Sequence, residues 1–210
     1  MRFDGWIAGV GTSSGTRMVL GRWERSPFGP FADVMVEDAG GRRLLLAPTR
    51  RTADLVSAVY RFDRVRVVPV AVAVEEDVWH VAAGPLELRF ALGRRGPLGL
   101  LLRRVPGPLA ARPAWAALTG LPARLLPGVR TRGSAGAGYR EWYGARDLRP
   151  VVSATARLDG RDLGGLAPVD PPVRFGFGSV PRVPALVRVV TTVAPVRGAG
   201  RQRRAGGGPA

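Results

Sequence analysis

Through its first ninety residues the chain runs in short apolar stretches separated by turn-forming clusters. The breaks fall at residues 11–15, 27–30, 40–41, 75–77 and 84–85, where glycine, proline, serine or adjacent carboxylates collect. Between them, residues 5–10, 16–23, 31–37, 43–47, 65–74 and 78–83 read as strands, the first two joined as a hairpin through a Gly/Ser/Thr loop. In residues 86–90, Leu86, Leu88 and Phe90 alternate with Glu87 and Arg89, the period of a sheet with one wet face. One stretch keeps a different period. Thr52, Leu55, Val56 and Val59 lie at i, i+3, i+4 and i+7, and Thr49 precedes them as a cap, so a helix packed on the sheet is expected there.

Residues 97–127 break this rhythm with leucine-rich runs, Trp115 among alanines, and prolines at 97, 106, 108, 113, 122 and 127. Pro113 and Pro122 suit the first turns of two short helices, which predicts helical insertions capping one end of the sheet. The interleaved Leu, Trp and Arg offer a membrane-surface alternative, although the prolines forbid one long amphipathic helix. Strand patterns resume at 139–143, 151–158, 173–177 and 185–193. Residues 195–210 carry Gly, Pro and four arginines without an apolar period, the composition of a disordered basic tail. The expected fold class is therefore α+β and β-rich: a single domain over 1–194 with an antiparallel, barrel-like or coned sheet, one packed helix and short helical insertions. An apolar cavity capped by 97–127 goes with it.

Composition removes much chemistry. Cysteine, lysine and asparagine are absent and His80 is the single histidine, which excludes disulfides, thiolate metal sites, Schiff bases, Walker-type phosphate loops and multi-histidine metal centres. No cofactor is expected. All 32 basic residues are arginine against 16 acidic ones, giving a net charge of +16. Removing the four arginines of the tail leaves about +12 on the body. That charge invites contact with nucleic acid, although the abundance of Ala, Arg, Gly and Pro also matches the composition of high-GC bacterial proteins. The first residues contain no charged region followed by a long apolar run, and no apolar stretch reaches 18 residues, so no transmembrane segment and a cytoplasmic location are expected.

The densest set of chemically capable side chains is Tyr139, Arg140, Glu141, Trp142 and Tyr143, followed by Arg146 and Asp147. On a strand, Tyr139, Glu141 and Tyr143 share one face and Arg140 and Trp142 the other. Facing a cavity, a carboxylate between phenols could serve as an acid or base; on an edge strand Glu141 would simply pair with an arginine. Around Arg174, Phe175 and Phe177 alternate with Gly176 and Gly178, leaving one face bare for a ligand or for another strand. The loop at 11–15 reads either as an amide nest for an anion or as a plain hairpin loop. His80, beside Trp79 and near three carboxylates, reads as an exposed strand histidine.

In residues 26–37, SPFGPFADVMVE, the chain resembles the Gly-Pro-Tyr-x-Glu strand of acetoacetate decarboxylase-like proteins, departing at Phe31 and Asp33. The resemblance covers about a dozen residues and implies a coned antiparallel sheet around an apolar cavity. The family's Schiff-base lysine has no counterpart here, so the resemblance carries a cavity for a small acidic molecule rather than the chemistry. The expected function is binding of a small anionic or carboxylate-bearing molecule, with Arg140, Arg146 or Arg174 as counter-charge and Tyr139, Glu141, Trp142 and Tyr143 as lining. The alternatives are weak association with nucleic acid and a structural or partner-binding role.

Overall fold

The computed structural model describes residues 1–104, 132–135, 139–175 and 180–195, with side chains described for 1–104, 144–175 and 180–193. Strands β1 (Arg2–Thr12) and β2 (Arg17–Arg25) form the expected hairpin, and β3 (Phe31–Glu37) and β4 (Arg43–Ala47) extend it in antiparallel register. Helix α1 (Arg50–Val59) follows. Its first turn is closed by two threonines: the Thr49 hydroxyl accepts from the Thr52 amide, and the Thr52 hydroxyl accepts from the Thr49 amide. Then come β5 (Arg64–Val67), β6 (Val70–Glu75), β7 (Val78–Ala83), β8 (Leu86–Leu92), α2 (Pro97–Arg103), β9 (Arg132–Ala135), β10 (Tyr139–Leu158), β11 (Arg161–Ala167) and β12 (Ala185–Pro195).

Four antiparallel strands close on themselves in the order β1–β12–β10–β11, with β11 returning to β1 through Gly11↔Ala167 and Thr12↔Leu166. From this ring the sheet runs outward as β2–β3–β4–β5 on one side and β8–β7–β6 on the other. The architecture is thus the barrel-like, β-rich fold that the alternation predicts. No described helix is long and apolar enough to cross a membrane.

The strand boundaries differ from the sequence reading in four places. Residues 65–74 are two strands, because Pro69 has no amide to donate and the chain changes partner there: β5 pairs parallel with β4, and β6 antiparallel with β7. Residues 139–158 are one strand rather than two. Pro150 is tolerated because it lies where β10 exchanges β12 for β8 as neighbour. Strand β11 has little strand propensity of its own, with two glycines in seven residues. Its signal is the preceding Asp159-Gly160 turn, where both residues take positive φ as a tight hairpin requires. Residues 173–175 are not a strand; side chains tie them down instead, and the remainder of that expected segment, 176–179, lies outside the described residues. Within 97–127 the described helix is α2, with Pro97 in its first turn; Pro113, Pro122 and the tail at 196–210 also lie outside.

Both faces of β1–β3 are buried. The even-numbered side chains Ala8, Val10, Met18, Leu20, Val34 and Val36 join Trp79, Leu88 and Phe90 in the main core. On the reverse face, Ile7, Val19 and Met35 meet Phe175, Val180 and Val189. Helix α1 completes this second layer through Ala53 and Val56 against Leu45 and Ala47. Two buried faces explain why these strands read as nearly continuous apolar runs.

Candidate functional site

The second face holds an apolar pocket between α1 and the sheet. Strand register builds it from cross-strand rows: Ile7, Gly21 and Asp33 lie side by side, Trp23 is beside Phe31, and Val19 beside Met35. Thr191 enters from β12 opposite Phe3, and Leu55, Val56, Val59 and Tyr60 close the pocket from the helix. The free space in this part-open pocket is about 60 Å³, room for a few water molecules.

Asp33 lies in this apolar lining. It is 3% exposed, and its Oδ1 accepts from the indole Nε1 of Trp23 at 3.3 Å. No arginine pairs with it among the described residues. Desolvation therefore dominates and pushes its carboxyl up to about 7, only partly offset by the Trp23 hydrogen bond. Gly21 makes this pairing possible: a β-carbon there would stand 2.8 Å from Asp33 Oδ1 and 2.9 Å from Trp23 Nε1. A second polar atom lies in the same lining, the Thr191 hydroxyl, which is buried and has no hydrogen-bond partner among the described residues.

Glu37, on the same strand and face, shows what neutralisation looks like here. It is fully buried and meets Arg17 Nη2 at 3.2 Å and Arg174 Nε at 3.0 Å. Its second oxygen accepts from the Arg174 amide. Arg17 also donates to the carbonyls of Pro171 and Asp38, so the network fastens residues 171–174 to β2 and β3.

Of the residues expected to form a site, Arg174 is in this network, away from the pocket. Arg146 lies on the opposite side of β1, 3.9 Å from Asp4. The backbone at Tyr139, Arg140, Glu141, Trp142 and Tyr143 belongs to β10, and residues 139–142 run between β9 and β12, so this segment is an interior strand rather than an edge. The side chains of 139–143 are outside the described set. The amides of Ser13 and Ser14 donate to the carbonyls of Gly165 and Leu163, which makes the 11–15 loop a hairpin loop docked on β11 rather than an anion nest. His80 is part-exposed on β7, 4.0 Å from Glu75. Among the described residues no group of carboxylates and histidine is arranged to hold a metal ion.

In the sequence Asp33 stands out only as a departure within the motif at residues 26–37, and no motif singles out Trp23 or Thr191. A usable signal was present: in FADVMVE, Asp33 occupies the same strand face as Phe31 and Met35, so an ionisable group falls where the period demands an apolar one.

No family model matches the chain, and no curated protein matches it in sequence. Among solved structures it is similar to acetoacetate decarboxylase from Legionella pneumophila subsp. pneumophila str. Philadelphia 1, with 11% identity, a TM-score of 0.42, and coverage of 93% of this chain and 84% of that one. It is also similar to a putative AttH from Nitrosomonas europaea, with 14% identity, a TM-score of 0.33, and coverage of 90% and 50%.

Proposed function

We propose that the protein binds a small, largely apolar molecule bearing a carbonyl or carboxylate oxygen, received in the pocket under α1 with the protonated carboxyl of Asp33 as hydrogen-bond donor. One observation carries this reading: a buried carboxyl without a cation, in an apolar pocket that still has free space. A carboxyl held neutral near pH 7 by apolar walls can donate to an acceptor oxygen. The Thr191 hydroxyl, without a partner among the described residues, supplies a second donor in the same lining. Binding of a carboxylate then needs no arginine, because the Asp33 proton is shared between two carboxyl groups.

The experiment is calorimetric titration at pH 6 with three branched four-carbon probes, isobutyrate, isobutyramide and isobutylamine. Isobutyrate and isobutyramide are expected to bind and isobutylamine to be rejected. Asp33→Asn, which keeps a donor at the same place, should retain the amide. Preference for the amine would overturn the reading, since it would mean that Asp33 acts as an anion awaiting a cation.

A further inference from the structure

We propose that β6 is the contact strand of a homodimer, pairing antiparallel with β6 of a second copy about a two-fold axis at Val72; the proposal is independent of the Asp33 pocket. The described sheet ends at β5 on one side and at β6 on the other. The two edges are built differently. Strand β5 is four residues long, carries Arg64 and Arg66, and is followed closely by Pro69, the charged and interrupted sequence that keeps an edge single. Strand β6 reads Val-Ala-Val-Ala-Val-Glu, with no charge before its last residue and no bulge in its register with β7. A regular, apolar edge of this kind is a template for another strand.

The backbone sets which residues pair. Strands β6 and β7 are joined by the two-residue turn Glu76-Asp77, and Glu75 stands opposite Val78. In such a hairpin the flanking pair exchanges both of its bonds, and bonded and non-bonded pairs then alternate along the ladder. Ala71, Ala73 and Glu75 therefore bond to β7, while the amides and carbonyls of Val70, Val72 and Val74 point away from it. These outward groups have no hydrogen-bond partner among the described residues. Their side chains are incompletely covered as well: Val70 and Val72 are half-buried against the main core, and Val74 is 40% exposed.

Self-complementarity commits this edge to a second copy. About Val72, Val70 of one copy meets Val74 of the other and Val72 meets its own counterpart. Each of these pairs joins outward-pointing groups, so about six backbone hydrogen bonds form. On the other face Ala71 meets Ala73, and valine covers valine beside the core. Charge fixes the direction. Parallel pairing would bring the Glu75-Glu76-Asp77 turns of both copies together, carboxylate against carboxylate. Antiparallel pairing separates them and directs each toward the end of β6 that the Arg64–Arg66 stretch precedes in the other copy.

The test is sedimentation of the full chain over a dilution series from about 500 to about 1 μM. The wild type is expected to pass from twice the 22.3 kDa chain mass toward the single mass. Val72→Pro removes an outward amide without touching the β7 ladder, and Val74→Lys places a charge on the edge. Each should weaken the dimer about tenfold or more, because the change counts once in each copy. Val152→Lys, at a 58% exposed valine of β10, should leave it unchanged. Hydrogen exchange at both ends of the series should protect the Val70, Val72 and Val74 amides only in the dimer, and those of Ala71 and Ala73 at every concentration. A wild type that is monomeric throughout, or a dimer that Val152→Lys weakens as much as the edge variants do, would overturn the proposal. So would protection of Val70, Val72 and Val74 that is independent of concentration, which would mean that the chain covers its own edge. Should Val72→Pro fail to fold, Val74→Lys and the exchange pattern of the wild type decide.

Discussion

Asp33 and Glu37 stand four residues apart on one face of β3, and only Glu37 meets a cation. The difference sets opposite pH behaviour within one small protein. Asp63, paired with Arg43, is held down to about 2, and Asp77 is lowered by its hydrogen bond from Arg149. Such groups stabilise the fold above their unfolded pKa and lose that contribution as pH falls through the folded one. Asp33 has the reverse sign. Its folded pKa of about 7 lies above the ordinary 3.8, so the folded state holds an extra proton between these values and stability falls as pH rises through that window. Asp33→Asn removes this dependence. The variant should match the wild type at pH 4 and exceed it at pH 8 by on the order of 4 kcal/mol, read from urea unfolding at both values. The alternation of FADVMVE shows that Asp33 is buried; that it lacks a cation while Glu37 has two is a fact of three dimensions, since Arg174 lies 137 residues from Glu37 along the chain.

At the scale of elements, α1 is one wall of the pocket and its first turn depends on two hydroxyls. Thr49→Ala breaks the reciprocal cap and should lower stability by about 1 kcal/mol. Hydrogen exchange should quicken across Arg50–Val59 and leave β7 and β8 unchanged. The segment 171–174 is fastened differently, by buried charge. Glu37→Ala strands Arg17 in the interior and should cost about 3–5 kcal/mol by thermal or urea unfolding. Arg174→Ala should cost much less, because the Arg174 side chain is 68% exposed and Arg17 still neutralises Glu37. The elements that sequence made legible are those whose period is local: β3, β4, β7 and α1 lie where alternation or the helical stripe places them. The strands that pattern misjudged depend on partners. Pro69 divides one apolar run because β5 and β6 have different neighbours, Pro150 fails to divide β10 because its two halves pair with different strands, and β11 exists through the ring rather than through its own side chains.

At the scale of the whole molecule, paired charge among the described residues is dispersed rather than gathered. Arg17, Arg43, Arg66, Arg95, Arg149, Arg182 and Arg188 are each occupied by carboxylates in different parts of the fold. Duplex DNA or RNA should accordingly bind weakly, without sequence preference, and release by about 200 mM salt in fluorescence anisotropy. Submicromolar, sequence-selective binding at physiological salt would favour the nucleic-acid alternative. The net charge of +16 is legible from composition, but its pairing is not, and neither is the pocket, which arises where α1 returns over a second buried face of β1–β3.

The most direct measurement of ligand reception by protonated Asp33 is the pH profile of affinity for 3-methyl-2-butanone, an acceptor-only probe that does not itself titrate. The dissociation constant should be level below about pH 7 and weaken by about tenfold per pH unit above it, as the donor proton is lost. In Asp33→Asn the profile should be flat. A wild-type profile that is flat, that strengthens with rising pH, or that shows no binding at pH 6 would contradict the assignment of this pocket.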